Sequence, residues 1–150
     1  MNRRSLLQSI PAAAFLSATD FAAGSPKTAV APEKAETTAN AVYELRVYHP
    51  NEGKLPELLR RFRDHTMKLF EKHGMNNVAY WTATDDPQKG NLLVYMLAHP
   101  SREAADVNWK AFRADPEWIA VRDQSEVNGK LVEKIESTFL SLTDFSPRIG

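Results

Sequence analysis

Hydrophobic and polar residues alternate along VYELRVYHP, residues 42–50 of the chain. Alternation with a period of two is typical of a β-strand with one buried face, and Pro50 ends the pattern. The side chains on one face are Tyr43, Leu45 and Val47, and those on the other are Glu44, Arg46 and Tyr48. We therefore expect a first strand whose two faces differ in polarity.

A helical period follows the turn at residues 51–53. Mostly apolar residues recur at spacings of three and four, which predicts an amphipathic helix. They are Leu55, Leu58, Leu59, Phe62, Thr66, Leu69 and Phe70. Pro56 falls in the first turn, where its missing N–H has no intrahelical acceptor to lose. Gly74 is expected to end the helix because glycine adopts the left-handed conformation without strain.

Three more strands are predicted, over residues 76–84, 92–99 and 130–145. A polar turn that contains Pro87 and Gly90 separates the first two of them. The strand at residues 92–99 is apolar on both faces, which indicates a central position in the sheet.

The segment between the third and fourth strands predicts a helix that stops and restarts. Ser101 is suited to cap the first piece, in which Trp109 and Phe112 lie at helical spacing. Asp115 and Pro116 then interrupt the pattern. Asp115 can accept from the free amides of a second helical piece, and Pro116 fits its first position because its φ is already set.

The resulting order of elements is β-α-β-β-α-β. It predicts an α+β, ferredoxin-like fold, in which both helices cover one face of an antiparallel sheet. The third strand is apolar throughout, so the uncovered face is too apolar to meet water. We expect a second copy to pack on it sheet to sheet, which makes the protein a homodimer.

Composition removes several classes of function. The 19 basic and 19 acidic side chains give a formal net charge of zero, so nothing favours binding to nucleic acid. The chain contains no cysteine, which excludes disulfides, thiolate metal sites and thiol nucleophiles. Catalysis, if present, has to use histidine, carboxylate, tyrosine, arginine or a bound cofactor.

The first 40 residues do not continue the pattern of the domain. Residues 1–24 contain Arg3 and Arg4 before a short apolar segment, which predicts an export signal of the twin-arginine type or, alternatively, of the general secretion type. Residues 25–40 are rich in Pro, Ala, Thr and Glu and predict a flexible linker. We expect a periplasmic or extracellular domain over residues 41–150, without stable membrane insertion once the signal is removed.

Five segments in register carry a family resemblance. They are YELRVY at 43–48, GKLPELL at 53–59, EKHG at 71–74, YWT at 80–82 and DPEW at 115–118. With these segments the chain resembles the NIPSNAP family over residues 42 to about 143. The resemblance implies a dimeric α+β barrel, in which two ferredoxin-like sheets face each other.

The resemblance also implies two kinds of function. The best-known NIPSNAP proteins act as binding proteins, so we expect a homodimeric domain that binds a small hydrophobic ligand or a protein partner. The wider barrel superfamily includes cofactor-free quinol-type monooxygenases, haem enzymes and isomerases. The alternative expectation is a small monooxygenase or oxidoreductase that acts on an aromatic or porphyrin substrate, with haem as a candidate cofactor.

Histidines are the first candidates for chemistry. His65 lies at the border of the apolar stripe of the first helix, where it would face a pocket between helix and sheet as a haem ligand or general base. The favoured interpretation is a partly buried, hydrogen-bonded histidine. His49 and His99 end two strands, but no acidic partner stands at metal-ligand spacing, so no metal site is expected.

Charged pairs are the second candidates. Glu44 and Arg46 share one face of the first strand, and Lys134 and Glu136 share one face of the fourth, so cross-strand ion pairs are expected. They would form either a ligand-binding patch in the barrel lumen or, as favoured, an ion-pair network at the dimer seam. The basic run at residues 60–63 has acidic residues within helical reach and is interpreted as a solvated face.

Aromatic residues are the third candidates. They would line a cavity for a planar ligand, although aromatic residues at such spacings more often form a core, which is the favoured interpretation. The set comprises Tyr80, Trp81, Tyr95, Trp109, Phe112 and Trp118.

Overall fold

A computed structural model describes residues 41–149, which form four strands and two helical stretches. The predicted export signal and linker, residues 1–40, lie outside the described residues. The strands are β1 (Val42–Pro50), β2 (Asn76–Thr82), β3 (Leu93–His99) and β4 (Val132–Leu140). The helices are α1 (Leu55–Arg61), a π-helical turn (Phe62–Thr66), α2 (Met67–Lys72), α3 (Arg102–Ala114) and α4 (Pro116–Ser125).

The strands form one antiparallel sheet in the order β2-β3-β1-β4. This order confirms the predicted ferredoxin-like α+β fold and the central position of β3. In the register, Arg46 pairs with Tyr95 of β3 on one side and with Ser137 of β4 on the other. Residues that pair in this way point to the same face of the sheet, so the register assigns every strand residue to one of the two faces.

The first helical stretch buries the predicted stripe, since Leu58, Phe62 and Phe70 are at most 4% exposed. It runs through α1, the π-helical turn and α2 without a break. Gly74 ends it with φ of +72°, the left-handed value that the sequence predicts at this position.

The predicted break at Asp115 is also confirmed. The Asp115 carboxylate accepts the N–H of Glu117 at 2.8 Å and so caps α4, and Pro116 occupies the first position of that helix. Lys72 and His73, at the end of the first helical stretch, each lie 2.7 Å from the same carboxylate. One side chain therefore starts α4 and joins it to the other helical layer.

The two faces of the sheet have different surroundings. On the face that the helices cover, Leu93, Tyr95 and Leu97 of β3 are at most 1% exposed. On the other face, which we call the open face, the central side chains are apolar and only partly covered, and Trp81 is 49% exposed. The central residues of the open face are Leu45, Val47, Val94 and Met96.

The fourth strand is shorter than predicted. It ends at Leu140, where the last backbone pair joins Leu140 to Tyr43, and not at residue 145. This end lies beside the start of β1, which begins at Val42. Residues 141–149 continue without regular structure and line a shallow cavity with Tyr43 and Met96 at one end of the open face.

Between residues 41 and 149, no helix is both long and apolar enough to cross a bilayer.

Candidate functional site

A cavity of about 200 Å³ lies between the helices and the sheet. We call it the helix–sheet cavity. Its apolar wall is mostly aromatic and comes from two strands and four helical segments, and its charged lining comes from the ends of α1 and α4. The wall residues are Tyr48, Phe62, Thr66, Phe70, Phe112, Trp118, Val132 and Ile135, and the charged residues are Arg61, Arg122 and Glu126.

The π-helical turn supplies two of the wall residues. Its backbone bond runs from Met67 N–H to the carbonyl of Phe62, five residues back instead of four. The Thr66 hydroxyl donates to the Arg61 carbonyl at 3.2 Å, again across five residues. Phe62 and Thr66 both line the cavity, and π-helical turns are frequent at functional sites.

Arg61 is the most buried charged residue of the lining, at 6% exposure. Its Nη1 donates to Ser125 Oγ at 3.1 Å and to Glu126 Oε1 at 3.0 Å, and its guanidinium lies 5.2 Å from the centre of the Trp118 ring. Arg122 is more exposed and pairs with Asp123 at the surface. The charged lining therefore extends from the buried Arg61 to the more exposed Arg122.

A second charged cluster lies deeper, on the same face of the sheet. The carboxylate of Glu44, which is 1% exposed, has four donors around it. Arg46 Nη1 and Ser137 Oγ each donate to Oε1 at 2.6 Å, and Trp109 Nε1 donates to Oε2 at 2.6 Å. His99 Nε2 lies 3.0 Å from Oε2. These donors come from β1, β3, β4 and α3, so one carboxylate joins the sheet to a helix.

The donors decide the charge state of Glu44. Burial alone would raise its pKa, but the hydrogen bonds from His99, Ser137, Trp109 and Arg46 outweigh burial and lower the pKa from 4.5 to about 2. An ionised carboxylate only accepts hydrogen bonds, so His99 Nε2 has to carry a proton. The Glu44 carboxylate in turn helps to raise the pKa of Arg46 above its ordinary value, against the effect of burial.

Tyr48 links the two clusters, because it lines the cavity and its ring centre lies 5.6 Å from the Arg46 guanidinium. The Tyr95 hydroxyl donates to the Tyr48 hydroxyl at 3.1 Å, and the Tyr80 ring stacks on the Tyr95 ring with 5.3 Å between centres. Burial raises the pKa of Tyr80 and of Tyr95 well above the ordinary value. Both phenols are therefore neutral at physiological pH.

The structure brings six of the eight predicted site residues to the helix-covered face: Glu44, Arg46, Tyr80, Tyr95, Trp109 and Trp118. Only Trp118 among them lines the helix–sheet cavity, together with Phe112. Tyr95 and Trp109 belong to the hydrophobic core, and Tyr80 packs against it, as the favoured interpretation predicts.

The other two residues lie elsewhere. Trp81 is on the open face because it pairs with Val94, so its assignment to the aromatic cavity is wrong. His65 is exposed in a separate groove of about 330 Å³ on the outer surface, between the first helical stretch and α4. The expected orientation of His65 toward the sheet is also wrong. Phe62 and Thr66 form the buried side of the helix at this point, and His65 lies on the exposed side.

The expected ion pairs between β1 and β4 are not formed by Glu44 and Arg46. These two side chains lie on the helix-covered face, whereas Glu136 pairs with Val47 and Lys134 pairs with His49 on the open face. The cross-strand contact on that face joins His49 Nε2 to Glu136 Oε1 at 2.8 Å. The Glu44 cluster therefore does not lie on the open face, where the sequence interpretation expected it.

Sequence reasoning missed Arg61, Arg122 and Glu126. Interpreting the run at 60–63 as a solvated face is wrong for Arg61, although Arg60 and Arg63 are exposed as predicted. The signal was present, because Arg61 lies three residues after Leu58 on the buried stripe and belongs to the same helix face. No periodic pattern of apolar residues in α4 indicates that Arg122 and Glu126 face the interior. The way α4 packs on the domain brings them to the cavity.

The lining residues do not fit a haem. Drug-sized ligands occupy cavities of roughly 300–1,000 Å³, and the helix–sheet cavity, at about 200 Å³, is smaller than that. His65 lies outside it, and His99 and His73 are engaged by Glu44 and Asp115. Within residues 41–149, no three His, Asp or Glu side chains are placed to hold a metal ion.

Comparison with known proteins identifies the family. The NIPSNAP family model matches residues 43–147, most of the chain. The chain belongs to the NIPSNAP family. The match confirms the resemblance and covers β1 through β4, including both charged clusters. No curated protein matches this NIPSNAP chain.

Solved structures of the family share the fold. A NIPSNAP family protein of unknown function from Agrobacterium tumefaciens is 23% identical with a TM-score of 0.62, over 72% of this chain and 93% of that one. An uncharacterized NIPSNAP domain protein from Burkholderia xenovorans is 25% identical with a TM-score of 0.60, over 71% and 99%. A Streptomyces coelicolor monooxygenase, solved in complex with nanaomycin D, is 16% identical with a TM-score of 0.53, over 76% and 99%. This last likeness concerns the fold.

We predict that Glu44 makes the domain sensitive to acid. The pKa of Glu44 is about 2 in the folded state, below the ordinary 4.5. Ionised Glu44 therefore stabilises the fold fully at pH values above 4.5, and this stabilisation is lost as the pH falls through about 2. The lost free energy of unfolding amounts to about 3 kcal/mol. Urea unfolding followed by circular dichroism between pH 7 and pH 2 measures it.

In the Glu44→Gln variant, this part of the pH dependence should be absent, and stability at pH 7 should fall by about 1–3 kcal/mol because a buried amide cannot accept from all four donors. Glu133→Gln, at an exposed position of β4, is the matched control and should behave like the wild type. If the free energy of unfolding of Glu44→Gln falls as steeply with acid as that of the wild type, Glu44 is not the source of the acid sensitivity.

Proposed function

We propose that this NIPSNAP domain binds a small, planar and largely apolar molecule in the helix–sheet cavity. The observation that carries the proposal is the composition of the lining. Aromatic rings from β1, the first helical stretch, α3 and α4 form the wall, and a few charged groups lie together on one side. Apolar concave walls with a small number of convergent polar groups are typical of small-molecule sites.

The titratable groups near the cavity favour binding over catalysis. A general base for reactions near neutral pH needs a pKa close to that pH and a free lone pair. Glu44 has a pKa of about 2 and four donors, so it is a weak and fully occupied base. His99 is engaged with Glu44, and His65 faces the outer groove. Glu126, the carboxylate in the cavity lining, is paired with Arg61 at 3.0 Å.

A second candidate function is oxygenation of an aromatic substrate in the same cavity. The observation that favours it is the hydroxyl of Tyr48, which lines the cavity and is hydrogen-bonded to buried Tyr95. Such a donor stabilises an oxyanion that forms as a phenolic or enolic substrate is oxidised. A methylene between two aromatic rings would take one atom of O₂ as a carbonyl, and its two hydrogens would leave with the other atom as water. Oxygen uptake with anthrone as substrate separates this function from binding alone.

We further propose that the open face of the sheet is covered by a second copy of the chain. Support comes from the apolar centre of that face and from Trp81, whose large ring is 49% exposed. An exposed apolar surface of this kind on a four-stranded sheet is typical of an interface. A two-fold axis would place the same face of each copy against the other.

Export remains a proposal that rests on the sequence of residues 1–24. Arg3 and Arg4 before a short apolar segment support it. A domain without cysteine does not depend on the redox state of the compartment, so the described residues are compatible with either side of the membrane.

A cavity-filling substitution tests the binding proposal. Isothermal titration calorimetry with 2-naphthol, 2-naphthoate and indole should detect binding of at least one of them to the wild type, and Val132→Phe should abolish it because the larger ring occupies the cavity. Val127→Phe is the matched control, since Val127 is 74% exposed and does not line the cavity. Absence of binding to the wild type, or undiminished binding to Val132→Phe, would overturn the proposal.

A charge on the open face tests the dimer. Sedimentation velocity at micromolar concentration should show a dimer of the wild type and a monomer of Val94→Glu, because a buried unpaired carboxylate is strongly unfavourable in an apolar interface. Val107→Glu introduces the same charge on α3 at a residue that is 67% exposed, and should remain dimeric. A monomeric wild type would contradict the proposed dimer.

Cell fractionation tests export. The full chain, expressed in a bacterium with a twin-arginine pathway, should be recovered from the periplasm with a new N-terminus near residue 25. Replacing Arg3 and Arg4 by lysine should leave an uncleaved cytoplasmic protein, whereas Arg63→Lys in the domain should not. Continued export of the double variant would instead indicate general secretion, and a cytoplasmic wild type would contradict export.

A further inference from the structure

Arg61 has more hydrogen-bonding capacity than its protein partners use. Its side chain is 5% exposed, yet among the described residues only Nη1 has acceptors, namely Ser125 Oγ and Glu126 Oε1. The Nε atom is buried and has no partner. A buried guanidinium is costly unless its donors are satisfied. Arg61 lines both the helix–sheet cavity and the outer groove, so an acceptor from outside the chain would stabilise it from either side.

The charges around the cavity favour an anion as this acceptor. The lining contains two cationic side chains, Arg61 and Arg122, and one anionic side chain, Glu126. Arg122 pairs with Asp123, a neighbour that is itself 62% exposed, and such surface pairs contribute little. The outer groove, by contrast, is lined by two arginines, Arg60 and Arg61, and by two carboxylates, Glu57 and Asp64. An anion is therefore favoured in the helix–sheet cavity over the outer groove.

The contact between Arg61 and Glu126 indicates which anion fits. A carboxylate oxygen of Glu126 already lies 3.0 Å from Nη1, and Glu126 is only partly buried, so its side chain can move toward solvent. A guanidinium binds a carboxylate through two parallel N–H donors. The Trp118 ring, 5.2 Å from the guanidinium, extends the apolar wall directly from this point.

We propose that the ligand of the helix–sheet cavity is an aromatic carboxylic acid, with its ring against Phe112 and Trp118 and its carboxylate paired with Arg61. This inference rests on the proposed binding function and specifies its ligand class. Arg61 selects the acid over a neutral molecule of the same shape, and Glu126 competes with the ligand for the guanidinium.

Matched ligands test the inference in the wild-type protein. Calorimetry with 2-naphthoate and with its neutral isostere 2-naphthamide should show at least roughly tenfold tighter binding of the acid, since a charge-assisted hydrogen bond contributes about that much or more. Equal affinities would overturn the anion site while leaving the binding function intact. No binding of either ligand would overturn the anion site, and the binding function would fall with it only if 2-naphthol and indole also do not bind.

Variants of Arg61 assign the preference to this side chain. Arg61→Gln should weaken the binding of 2-naphthoate by roughly 10- to 100-fold and leave the affinity for 2-naphthamide nearly unchanged. Arg61→Lys keeps the charge without the planar fork and should give an intermediate loss. Arg60→Gln removes an exposed neighbouring guanidinium that lines only the outer groove, and should have no effect. If correctly folded Arg61→Gln loses affinity for both ligands equally, Arg61 has a structural role and the proposal is contradicted.

Glu126→Gln distinguishes a ligand site from a structural pair without relying on loss of function. If Arg61 serves only to hold α1 against α4, removing the charge of Glu126 weakens the domain and does not improve binding. If Glu126 competes with the ligand, the variant should bind 2-naphthoate roughly three- to tenfold more tightly. Unchanged or weaker binding of 2-naphthoate would contradict the competition.

Discussion

A buried carboxylate fixes how the sheet and its helices meet. Glu44 is ionised and has almost no access to water, so its charge is tolerated only because Arg46, Ser137, Trp109 and His99 surround it with donors. Since these donors come from three strands and from α3, the carboxylate is satisfied only when β1, β3, β4 and α3 are correctly placed together. The hydrophobic core provides most of the stabilisation in a domain of this kind, whereas the Glu44 cluster specifies a single arrangement of layers.

Next to this rigid cluster, the remaining space between the layers forms the helix–sheet cavity. The Arg46 guanidinium lies 4.3 Å from the centre of the Trp109 ring and 5.6 Å from that of Tyr48. Tyr48 is part of the cavity wall, so it joins the charge cluster to the cavity. The π-helical turn adds Phe62 and Thr66, and α4, which Asp115 starts in a new direction, adds Trp118. The two faces of the sheet thereby acquire different roles: the covered face encloses a ligand-sized space, and the open face presents an apolar surface to a second copy in the proposed dimer.

Sequence patterns could predict the elements because periodicity is a local property. The period of two in β1, the stripe of the first helical stretch and the cap at Asp115 all appear where they were expected. The site was harder, since alternation separates Glu44 from Leu45 without telling which face the helices cover. The packing of α3 decides that question, because Trp109 contacts Glu44 and Arg46. The register then places Trp81 on the open face. Arg61 was misassigned because a basic run suggested solvent, although its position on the stripe indicated burial, and β4 was overextended because its apolar residues continue beyond the end of its partner strand.

The three tryptophans allow the roles of the two faces to be measured in one experiment. Trp118 lines the cavity, Trp109 is bound to Glu44, and Trp81 lies on the open face. Their indole N–H signals in a ¹H–¹⁵N correlation spectrum, assigned by Trp→Phe substitutions, report on each place separately. Titration with 2-naphthoate should shift the Trp118 signal and leave that of Trp109 in place, while the Trp81 signal should change with protein concentration and not with ligand. A ligand-induced shift of Trp81 with an unchanged Trp118 would contradict the account, because it would place the ligand on the open face.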